Sequence, residues 1–433
     1  MNRYPAHLHT VTQRTIAALS ATGFDHLLIA SGTQKYHFLD DRPYPFRANP
    51  HFSAWLPLPD HANGWIAFTP GKRPRLAYHQ PDDYWHVAPQ APSGEWAEHF
   101  DITVITAPEQ ATALLPKHGR VAIIGDHDAG LPGMVPNNPP ELLARLHFAR
   151  AVKTDYELDC IRAAQKRAVR GHRAAQSAFL DRASERDIHL AYLTATGHTD
   201  LDLPYGNIVA LNAHGAVLHY QHQSADMPEA HRSLLIDAGA EYQGYAADIT
   251  RTWGNEDSEF QSLIQAVDGV QRKLVDQVRA GVDYAALHVA AHLALGGVLE
   301  QLGIVRMAPE DQLARRVTHA FFPHGLGHLL GLQVHDVGGF QRDAAGGEIP
   351  RPEGHPHLRL TRTLAPGMVV TIEPGIYFID SLLAPLRESP DAARIDWRAV
   401  DRLRPFGGVR IEDDVACTDG DPENLTRDAF AAG

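Results

Sequence analysis

Three histidines lie close together in the glycine-rich stretch Phe321–Gly339, FFPHGLGHLLGLQVHDVGG. They are His324, His328 and His335. A neutral imidazole is a good metal ligand and glycine lets the backbone approach closely, so the stretch suits a metal site. The glycines disfavour a long helix, and we expect an extended or looped chain with His335 on a strand, LQVHDV. Taken alone, these residues fit a metal site no better than they fit ordinary core or surface positions, because the chain has 27 histidines.

Four acidic residues in strand-like runs supply the oxygen ligands that such a site needs. Asp237 and Asp248 lie eleven residues apart in SLLIDAGAEYQGYAADITRTWG, and the glycines between them predict two arms of a hairpin. Glu373 in VVTIEPGIYF and Glu412 in GGVRIEDDVA have apolar neighbours on both sides. A buried carboxylate must be paired or must coordinate a metal. One such residue usually indicates a salt bridge, but this set together with a histidine indicates a shared metal site.

The order Asp237, Asp248, His328, Glu373, Glu412 resembles the five-ligand dinuclear site of the pita-bread metallopeptidases, which include methionine aminopeptidase, aminopeptidase P, creatinase and prolidase. The runs LPYGNIVALN, LHYQH, TIEPGIYF and GGVRIEDD are most similar to the bacterial Xaa-Pro dipeptidase (prolidase) branch, which also includes organophosphorus acid anhydrolases. DDRPYPFRANPHFSAWLPL near the N-terminus resembles the same branch, so the similarity covers most of the chain. It implies an α/β N-terminal domain followed by an α+β pita-bread (creatinase/aminopeptidase-like) catalytic domain.

The resemblance implies two divalent metal ions per subunit. In the family pattern Asp248 and Glu412 bridge the ions, Asp237 serves one ion, and His328 with Glu373 serves the other. Four carboxylates are too oxygen-rich for a structural zinc site and suit Mn²⁺, with Co²⁺ or Zn²⁺ able to substitute. A hydroxide between the ions would attack the scissile carbonyl, and Glu373 would carry its proton to the leaving nitrogen.

Further side chains are candidates for catalysis, substrate binding or support of the ligands. They are the imidazoles of His219, His324 and His335, the phenol of Tyr205 and the guanidinium of Arg410. His335 and His219 are the candidates to stabilise the tetrahedral oxyanion or to fix the substrate. His324 has a supporting role or a purely structural one. Tyr205 and Arg410 occupy the positions of family residues that hydrogen-bond the ligands, and a strand would put Arg410 on the same face as the acidic residue two positions later.

Selectivity for dipeptides needs a group that recognises a free carboxylate one residue beyond the cut, and arginine binds a carboxylate through two parallel hydrogen bonds. The resemblance assigns this role to Arg359, fourteen residues before Glu373, with Arg362 as the nearby alternative. Arg359 lies in a Pro/Gly/charge-rich loop between Gly339 and Thr361. A loop of this length is more often functional than incidental.

The composition is that of a soluble globular protein, with 44% hydrophobic and 21% charged residues. The formal charge of −13 argues against a nucleic-acid partner. No apolar run reaches the length of a membrane span, so we expect no membrane partner. MNRYPAHLHTVTQ has no hydrophobic signal core, which predicts a cytoplasmic protein, and Cys160 and Cys417 are expected to be reduced and buried.

At 433 residues the chain is expected to form two domains, which we place at residues 1–152 and 153–433. The first should contain a helix around His9–Thr22 and the strands HLLIA, GWIAFT, PRLAYH, ITVITA and VAIIGD. The resemblance implies a homodimer in which this domain helps to close the neighbouring subunit's active site. Asp40, Asp41 and Arg47 are candidates for that role, although a solvated turn explains them equally well.

Four helices are predicted in the second domain from their caps and apolar stripes. A capping box, Thr154 with Glu157, starts the first. The other three are expected to run from Ser184 to Gly197, from the stripe that begins at Phe260 to Gly281, and from Asp283 to Gly303.

The sequence therefore predicts a metal-dependent dipeptidase that hydrolyses Xaa-Pro dipeptides. The alternatives are cleavage of longer Xaa-Pro peptides, as by aminopeptidase P, and organophosphorus triester hydrolysis, which we expect only as a promiscuous activity. A non-catalytic peptide-binding module is the alternative from another class, and the intact ligand set disfavours it.

Overall fold

The computed structural model describes residues 3–254 and 258–432. The chain divides into two compact units. The first extends to Arg150 and also contains Thr154–Asp159 and Asp343–Gly347. The second contains Ala151–Lys153, Cys160–Arg342 and Glu348–Gly433.

A five-stranded mixed sheet forms the centre of the first unit. Its strands are β1 (His26–Ala30), β2 (Trp65–Phe68), β3 (Arg75–His79), β4 (Asp101–Ile105) and β5 (Val121–Ile124). The spatial order is β4-β3-β2-β1-β5, with β1–β5 and β3–β4 parallel and the other two pairs antiparallel. All five predicted strands are present, because each is a short apolar run between turn residues.

Both faces of this sheet are covered. Leu27 and Ile29 pack into one apolar cluster, whereas Leu28 and Ala30 pack into another, as the alternation of side chains along a strand requires. The helices of the unit are α1 (Tyr4–Thr22), α2 (Pro50–Ser53) and α3 (Pro140–Arg150). The predicted start of α1 at His9 is too late, because a proline is tolerated in the first turn and the helix begins before it.

The second unit is built from short strands arranged in several small sheets. They are β6 (Ile208–Leu211), β7 (Ser233–Asp237), β8 (Glu241–Tyr242), β9 (Tyr245–Ala246), β10 (Thr250–Gly254), β11 (Gln341–Asp343), β12 (Gly346–Glu348), β13 (Val369–Ile372), β14 (Gly375–Tyr377), β15 (Gly408–Arg410), β16 (Asp413–Ala416) and β17 (Glu423–Asn424). The sheets are β10-β7-β6, β13-β16-β17, β14-β15, β8-β9 and β11-β12. In the last of these, residues 343–347 belong to the first unit. The hairpin predicted around the two aspartates is confirmed, since β7 and β10 pair antiparallel with Asp237 opposite Thr250.

Nine further helices are described. They are α4 (Asp155–Leu180), α5 (Glu185–Thr196), α6 (Ser258–Val275), α7 (Tyr284–Gln301), α8 (Pro309–Ala314), α9 (Val317–Phe321), α10 (Asp380–Arg387), α11 (Trp397–Leu403) and α12 (Leu425–Ala432). The capping box of α4 is confirmed, because the Thr154 backbone N–H donates to Glu157 Oε2 at 2.7 Å and the Glu157 N–H faces Thr154 Oγ1 at 3.4 Å. The predicted starts of α5 and α7 are also confirmed, with Ser184 and Asp283 as N-caps.

Two local predictions are wrong. Helix α6 ends at Val275, before the predicted stop at Gly281. Turns and irregular chain follow it, and Val278 is still buried there, so the apolar stripe continues beyond the end of the helix. LQVHDV is a series of bends and contains no strand, so only the looped interpretation of the His335 segment is correct. The Pro/Gly-rich loop after Gly339 contains the two-stranded sheet β11–β12.

Candidate metal centre

The four acidic residues lie where strands end or are interrupted. Asp237 is the last residue of β7, and Asp248 lies two residues before β10. Glu373 occupies the gap between β13 and β14, and Glu412 occupies the gap between β15 and β16. Glu412 forms an isolated bridge with Thr250, donating its N–H to the Thr250 carbonyl at 3.1 Å. The strand ends and gaps therefore bring residues distant in sequence to one place.

His328 is held by local hydrogen bonds that leave one ring nitrogen free for a metal. Its backbone N–H donates to Thr371 Oγ1 at 3.1 Å, and its Nδ1 lies 3.0 Å from the Leu329 carbonyl, to which it donates. Its Nε2 lies 3.4 Å from Asp248 Oδ2 and 3.8 Å from Glu373 Oε1. A proton on Nδ1 fixes the tautomer in which Nε2 carries the lone pair.

The predicted ligands converge. One ligand atom from each of Asp248, His328 and Glu412 lies within 4.8 Å of the others, and all three residues are buried. Glu373 joins this group through its contact with His328. Asp237 is joined to Asp248 by the phenol of Tyr205, whose oxygen lies 2.8 Å from Asp237 Oδ1 and 2.6 Å from Asp248 Oδ1.

Arg410 and Thr250 orient two of the carboxylates. Arg410 donates from Nη2 to Asp237 Oδ2 at 2.8 Å, from Nη1 to Tyr377 Oη at 2.9 Å and from Nε to Thr250 Oγ1 at 3.2 Å. The Thr250 hydroxyl in turn donates to Glu412 Oε2 at 2.6 Å. The Thr250 hydroxyl thus connects Arg410 to Glu412, although β15 ends at Arg410 and Glu412 lies before β16.

The close backbone packing beneath the site explains two glycines. A Cβ at Gly327 would lie 2.2 Å from the Thr371 carbonyl oxygen, so a side chain there would push His328 away. A Cβ at Gly239 would lie 2.2 Å from the Ala247 oxygen and 2.7 Å from Tyr205 Cε1. Glycine at these positions lets the segments that carry the ligands approach each other.

The carboxylates have strongly perturbed acidities. Burial raises the pKa of Glu373 to about 7 and also raises the pKa of Asp237. Burial, with the neighbouring charge of Asp248, raises the pKa of Glu412 well above its usual range. Burial alone would raise the pKa of Asp248, but the hydrogen bond and charge of His328 lower it. Burial would lower the pKa of His328, but its bond to Asp248 and the acidic charges raise it to about 9.

These residues fit a set of divalent cations. Four carboxylates with little access to solvent repel one another, and Arg410 neutralises part of their charge through its ion pair with Asp237. Buried charges of one sign are stable only when they are neutralised or coordinate a metal. Four carboxylates and one imidazole make an oxygen-rich donor set, which matches hard divalent cations such as Mn²⁺.

The five ligands line a cleft of about 410 Å³. Five further predicted residues line the same cleft: His219, His324, His335, Arg359 and Arg410. Tyr205 lies behind the ligands and contacts them without lining it.

The arginines near the cleft differ in their surroundings. Arg359 lines it, whereas Arg362 is buried and donates to the Gly338 carbonyl at 3.3 Å. Arg351, which the sequence reasoning missed, also lines the cleft. Its Nε donates to the Leu358 carbonyl at 2.7 Å, and its guanidinium lies 4.3 Å from the Phe340 ring centroid. An arginine next to prolines in the long loop was the signal that could have identified it.

Tyr377 was also missed. Its phenol oxygen lies 2.8 Å from His324 Nε2 and accepts from Arg410, so it joins two predicted residues. His324 Nδ1 lies 3.6 Å from Glu373 Oε2. Tyr377 is four residues after Glu373 in TIEPGIY, and only the strand break between them brings both to the site.

Asp40, Asp41 and Arg47 belong to the first unit. Asp40 Oδ1 accepts from the backbone N–H groups of Asp41 and Arg42, as in a solvated turn, and Arg47 Nη1 lies 3.5 Å from Asp60 Oδ1. These contacts leave the proposed role towards a second subunit as a prediction.

Two family models match the chain. "Xaa-Pro dipeptidase, N-terminal domain" matches residues 2–148, and "Metallopeptidase family M24" matches residues 159–419. The chain belongs to metallopeptidase family M24. As an M24 member it is a metal-dependent hydrolase, and the predicted α/β domain followed by a pita-bread catalytic domain is confirmed.

Relatives within the family are similar over their whole length. A protein named Xaa-Pro dipeptidase from Xanthomonas axonopodis pv. citri is 56% identical over 99% of this chain and 98% of its own length. Its namesake from Stenotrophomonas maltophilia is 54% identical over 99% of this chain and 97% of its own.

Solved structures of the same fold are more distant. Aminopeptidase P from Escherichia coli with the inhibitor Pro-Leu has a TM-score of 0.74 at 22% identity, covering 98% of this chain and 95% of that one. Aminopeptidase PepP from Pseudomonas aeruginosa has a TM-score of 0.73 at 23% identity, covering 97% and 95%. These structures establish the two-domain fold.

Among the described residues of this M24 chain, none forms a helix both long and apolar enough to span a membrane.

Proposed function

We propose that this M24 chain is an Xaa-Pro dipeptidase, which hydrolyses dipeptides with C-terminal proline and releases proline and a free amino acid. The observation that carries the proposal is that one cleft of about 410 Å³ holds both the metal-ligand set and the guanidinium of Arg359. A short peptide fits such a cleft when its scissile carbonyl meets the ligands and its free carboxylate meets an arginine. The name shared by relatives at 54–56% identity supports the same activity.

In this proposal Asp237, Asp248, His328, Glu373 and Glu412 hold two divalent cations, with Mn²⁺ preferred and Co²⁺ or Zn²⁺ able to substitute. When bound, these ions supply a water of lowered pKa and polarise the scissile carbonyl. Asp248 and Glu412 are assigned as shared ligands, which their central positions support. Tyr205 and Arg410 keep the carboxylates oriented, since each hydrogen-bonds them directly.

Glu373 is assigned as the group that transfers a proton from the attacking water to the leaving nitrogen. Its carboxylate lines the cleft beside the other ligands, which places it within reach of a water held at the site. His324 lies beside this carboxyl, with Nδ1 3.6 Å from Glu373 Oε2, and its ring is fixed by hydrogen bonds from Nδ1 to the Gly325 carbonyl and between Nε2 and Tyr377.

His335 and His219 are assigned to the carbonyl oxygen as negative charge develops on it. Both line the cleft, and the His335 ring packs edge-on against His328, with centroids 4.3 Å apart. An N–H donated to that oxygen stabilises the tetrahedral intermediate more than the substrate.

Arg359 is assigned to the substrate carboxylate. Its fork of N–H donors matches the two oxygens of a C-terminal carboxylate, and an internal peptide bond offers no such partner. This contact would favour dipeptides over longer peptides.

The proposal extends to the domains, the assembly and the location. We assign residues 1–152 to the N-terminal domain and 153–433 to the catalytic domain. A homodimer is supported by exposed apolar side chains in the first unit, such as Phe38, Leu39 and Trp85. Cys160 and Cys417 are buried thiols, which supports a cytoplasmic location. Equilibrium sedimentation tests the dimer.

A hydrolysis assay tests the activity. The chain is loaded with Mn²⁺ and given Ala-Pro, Met-Pro, the tripeptide Ala-Pro-Ala and a p-nitrophenyl phosphotriester. We expect rapid release of proline from the dipeptides, slow turnover of the tripeptide, and at most weak hydrolysis of the triester, which would represent the promiscuous activity of the organophosphorus acid anhydrolase branch.

Two variants complete the assay. Glu373→Gln should lose at least about a hundredfold in kcat because it removes the proton-transfer group. Glu259→Gln, which changes an exposed carboxylate paired with Arg402, should keep full activity. Equal rates on dipeptide and tripeptide would favour an aminopeptidase P-like activity and remove the proposed role of Arg359. No turnover with metal bound would contradict the peptidase proposal.

A further inference from the structure

A second group of buried imidazoles lies outside the carboxylate site, within the second unit. His288 and His292 are one helical turn apart on α7, and His355 approaches them from the segment between β12 and β13. One ring nitrogen from each of the three lies within 4.8 Å of the others. Their exposures are 1%, 1% and 9%, so they meet away from solvent.

Hydrogen bonds satisfy only part of this cluster. His288 Nε2 lies 2.9 Å from His355 Nδ1, and a single proton serves that contact. His292 Nδ1 lies 3.0 Å from Thr318 Oγ1. His288 Nδ1 is buried without a hydrogen-bond partner in the described ranges. Buried polar atoms are rarely left unsatisfied in a folded protein, so each such atom requires an explanation.

A fourth imidazole adjoins the group. The His319 ring lies 4.6 Å from the His292 ring and 4.9 Å from the His355 ring, centroid to centroid. Within 3–254 and 258–432, neither of its ring nitrogens makes a hydrogen bond of good geometry. A purely hydrogen-bonded network would leave these nitrogens unused.

We propose that His288, His292 and His355 form a further metal site, which binds one divalent cation that prefers nitrogen ligands, Zn²⁺, Ni²⁺ or Cu²⁺, with His319 as a fourth ligand. Histidines at i and i+4 on a helix present both rings on one face, as a metal site requires. In a tetrahedral site with metal–nitrogen distances of about 2.0–2.1 Å, ligand nitrogens are about 3.3 Å apart. The three nitrogens, now within 4.8 Å of one another, would have to reach that separation when the ion binds.

The charges around the cluster select the metal. Burial lowers the pKa of His288 to about 3 and that of His292 to about 2, so both are neutral near pH 7 and keep a lone pair. These four histidines include no carboxylate among them. Burial lowers the pKa of His355, and the nearby positive charge of Arg316 lowers it further. Only ions that bind imidazole strongly overcome such a charge, which excludes Mn²⁺, Mg²⁺ and Ca²⁺.

An ion in this site would restrain one wall of the cleft described above. His355 lies two residues before His357 and four before Arg359, and both of these line that cleft. Binding to α7 would therefore fix the segment that carries Arg359 to a rigid helix.

The test counts metal ions without any substrate, so it is independent of the proposed peptidase activity. The full chain is loaded with Mn²⁺, titrated with Zn²⁺ or Ni²⁺, freed of unbound ions and analysed for total metal per chain by mass spectrometry. His292→Gln and His355→Gln each remove one ligand, and His118→Gln is the matched control, because His118 is an exposed histidine of the first unit.

We expect the unsubstituted chain and His118→Gln to hold one more ion than either ligand variant, and Zn²⁺ to raise the Tm of the first two only. Equal metal totals in all four proteins would overturn the proposal. If His292→Gln does not fold, as judged by circular dichroism, His355→Gln decides the outcome, since His355 lies in an irregular segment at the edge of the cluster.

Discussion

The ammonium group of Lys153 donates a hydrogen bond to the carboxylate of Asp336 at 2.8 Å, and the two side chains are only 1% and 0% exposed. Asp336 is the residue after His335, and its backbone N–H donates to the Leu329 carbonyl at 2.8 Å. A Cβ at Gly331 would lie 2.4 Å from Asp336 Oδ2. The ion pair therefore closes the turn that carries His335 back beside the ligand His328.

Removing one partner of this pair should be costly. We predict that Asp336→Ala lowers the free energy of unfolding by about 3–5 kcal/mol, because it removes the carboxylate that is paired with the buried ammonium of Lys153. Urea unfolding measures this. Arg279→Ala, which removes an exposed partner of Asp421, should cost at most about 1 kcal/mol.

A double variant separates charge from position. Lys153→Met with Asp336→Leu should recover most of the stability, since two apolar side chains replace the ion pair. It should not recover dipeptide turnover if the turn positions His335. Full activity in the double variant would show that the pair is needed for stability alone.

Arg359 and Arg351, which both line the cleft, should differ in their effect on substrate binding. We predict that Arg359→Ala raises the KM for Ala-Pro about ten- to a hundredfold with a smaller change in kcat, because a hydrogen bond to a charged group contributes about 1.5–3 kcal/mol to binding. Arg351→Ala, made in the same cleft, is the comparison and should change KM less. The reverse order would transfer recognition of the carboxylate to Arg351.

Local residue patterns were enough to predict much of the fold. The strands of the first unit are short apolar runs between turns, and the caps at Thr154, Ser184 and Asp283 are hydrogen bonds between residues at most three apart. Such features are determined by neighbours in sequence, so a sequence contains the information directly. The ligand order could be identified by resemblance for a different reason: the chemistry restricts which residue types are possible.

Contacts between distant segments could not be predicted in this way. LQVHDV alternates like a strand, but Asp336 is drawn into the interior by Lys153, 183 residues away. Thr250 and Tyr377 both contact Arg410, from 160 and 33 residues away. Their importance depends on which strands are interrupted, and periodicity alone does not determine that.

The first unit should lose stability in acid through His61. Burial, together with the charge of His79, lowers the pKa of His61 to about 4, and its Nε2 accepts a hydrogen bond from the His79 backbone N–H at 3.2 Å. The unfolded chain, with an ordinary histidine pKa near 6.5, takes up this proton first. The stabilisation is therefore complete above pH 6.5 and is lost as the pH falls towards 4, by about 3 kcal/mol in total.

Comparing the unsubstituted chain with His61→Gln isolates this effect, because glutamine does not titrate and its amide oxygen can still accept the hydrogen bond. As the pH falls from 6.5 to 4, the unsubstituted chain should lose more unfolding free energy than the variant. A difference that stays constant over this range would contradict the assignment.

Metal removal should destabilise the chain through the carboxylate cluster. Without cations the carboxylates repel one another, and burial raises the pKa of three of them, Asp237, Glu373 and Glu412. We predict that chelation lowers the Tm and abolishes dipeptide hydrolysis, and that Mn²⁺ restores both. A cation present at a hundred times its Kd stabilises the folded state by about 2.7 kcal/mol.

Mn²⁺ is the appropriate probe because the imidazole cluster does not favour it. Asp248→Asn should abolish the Mn²⁺-dependent rise in Tm, whereas Asp268→Asn, outside the site, should retain it. An equal rise in both variants would place the stabilising cation elsewhere.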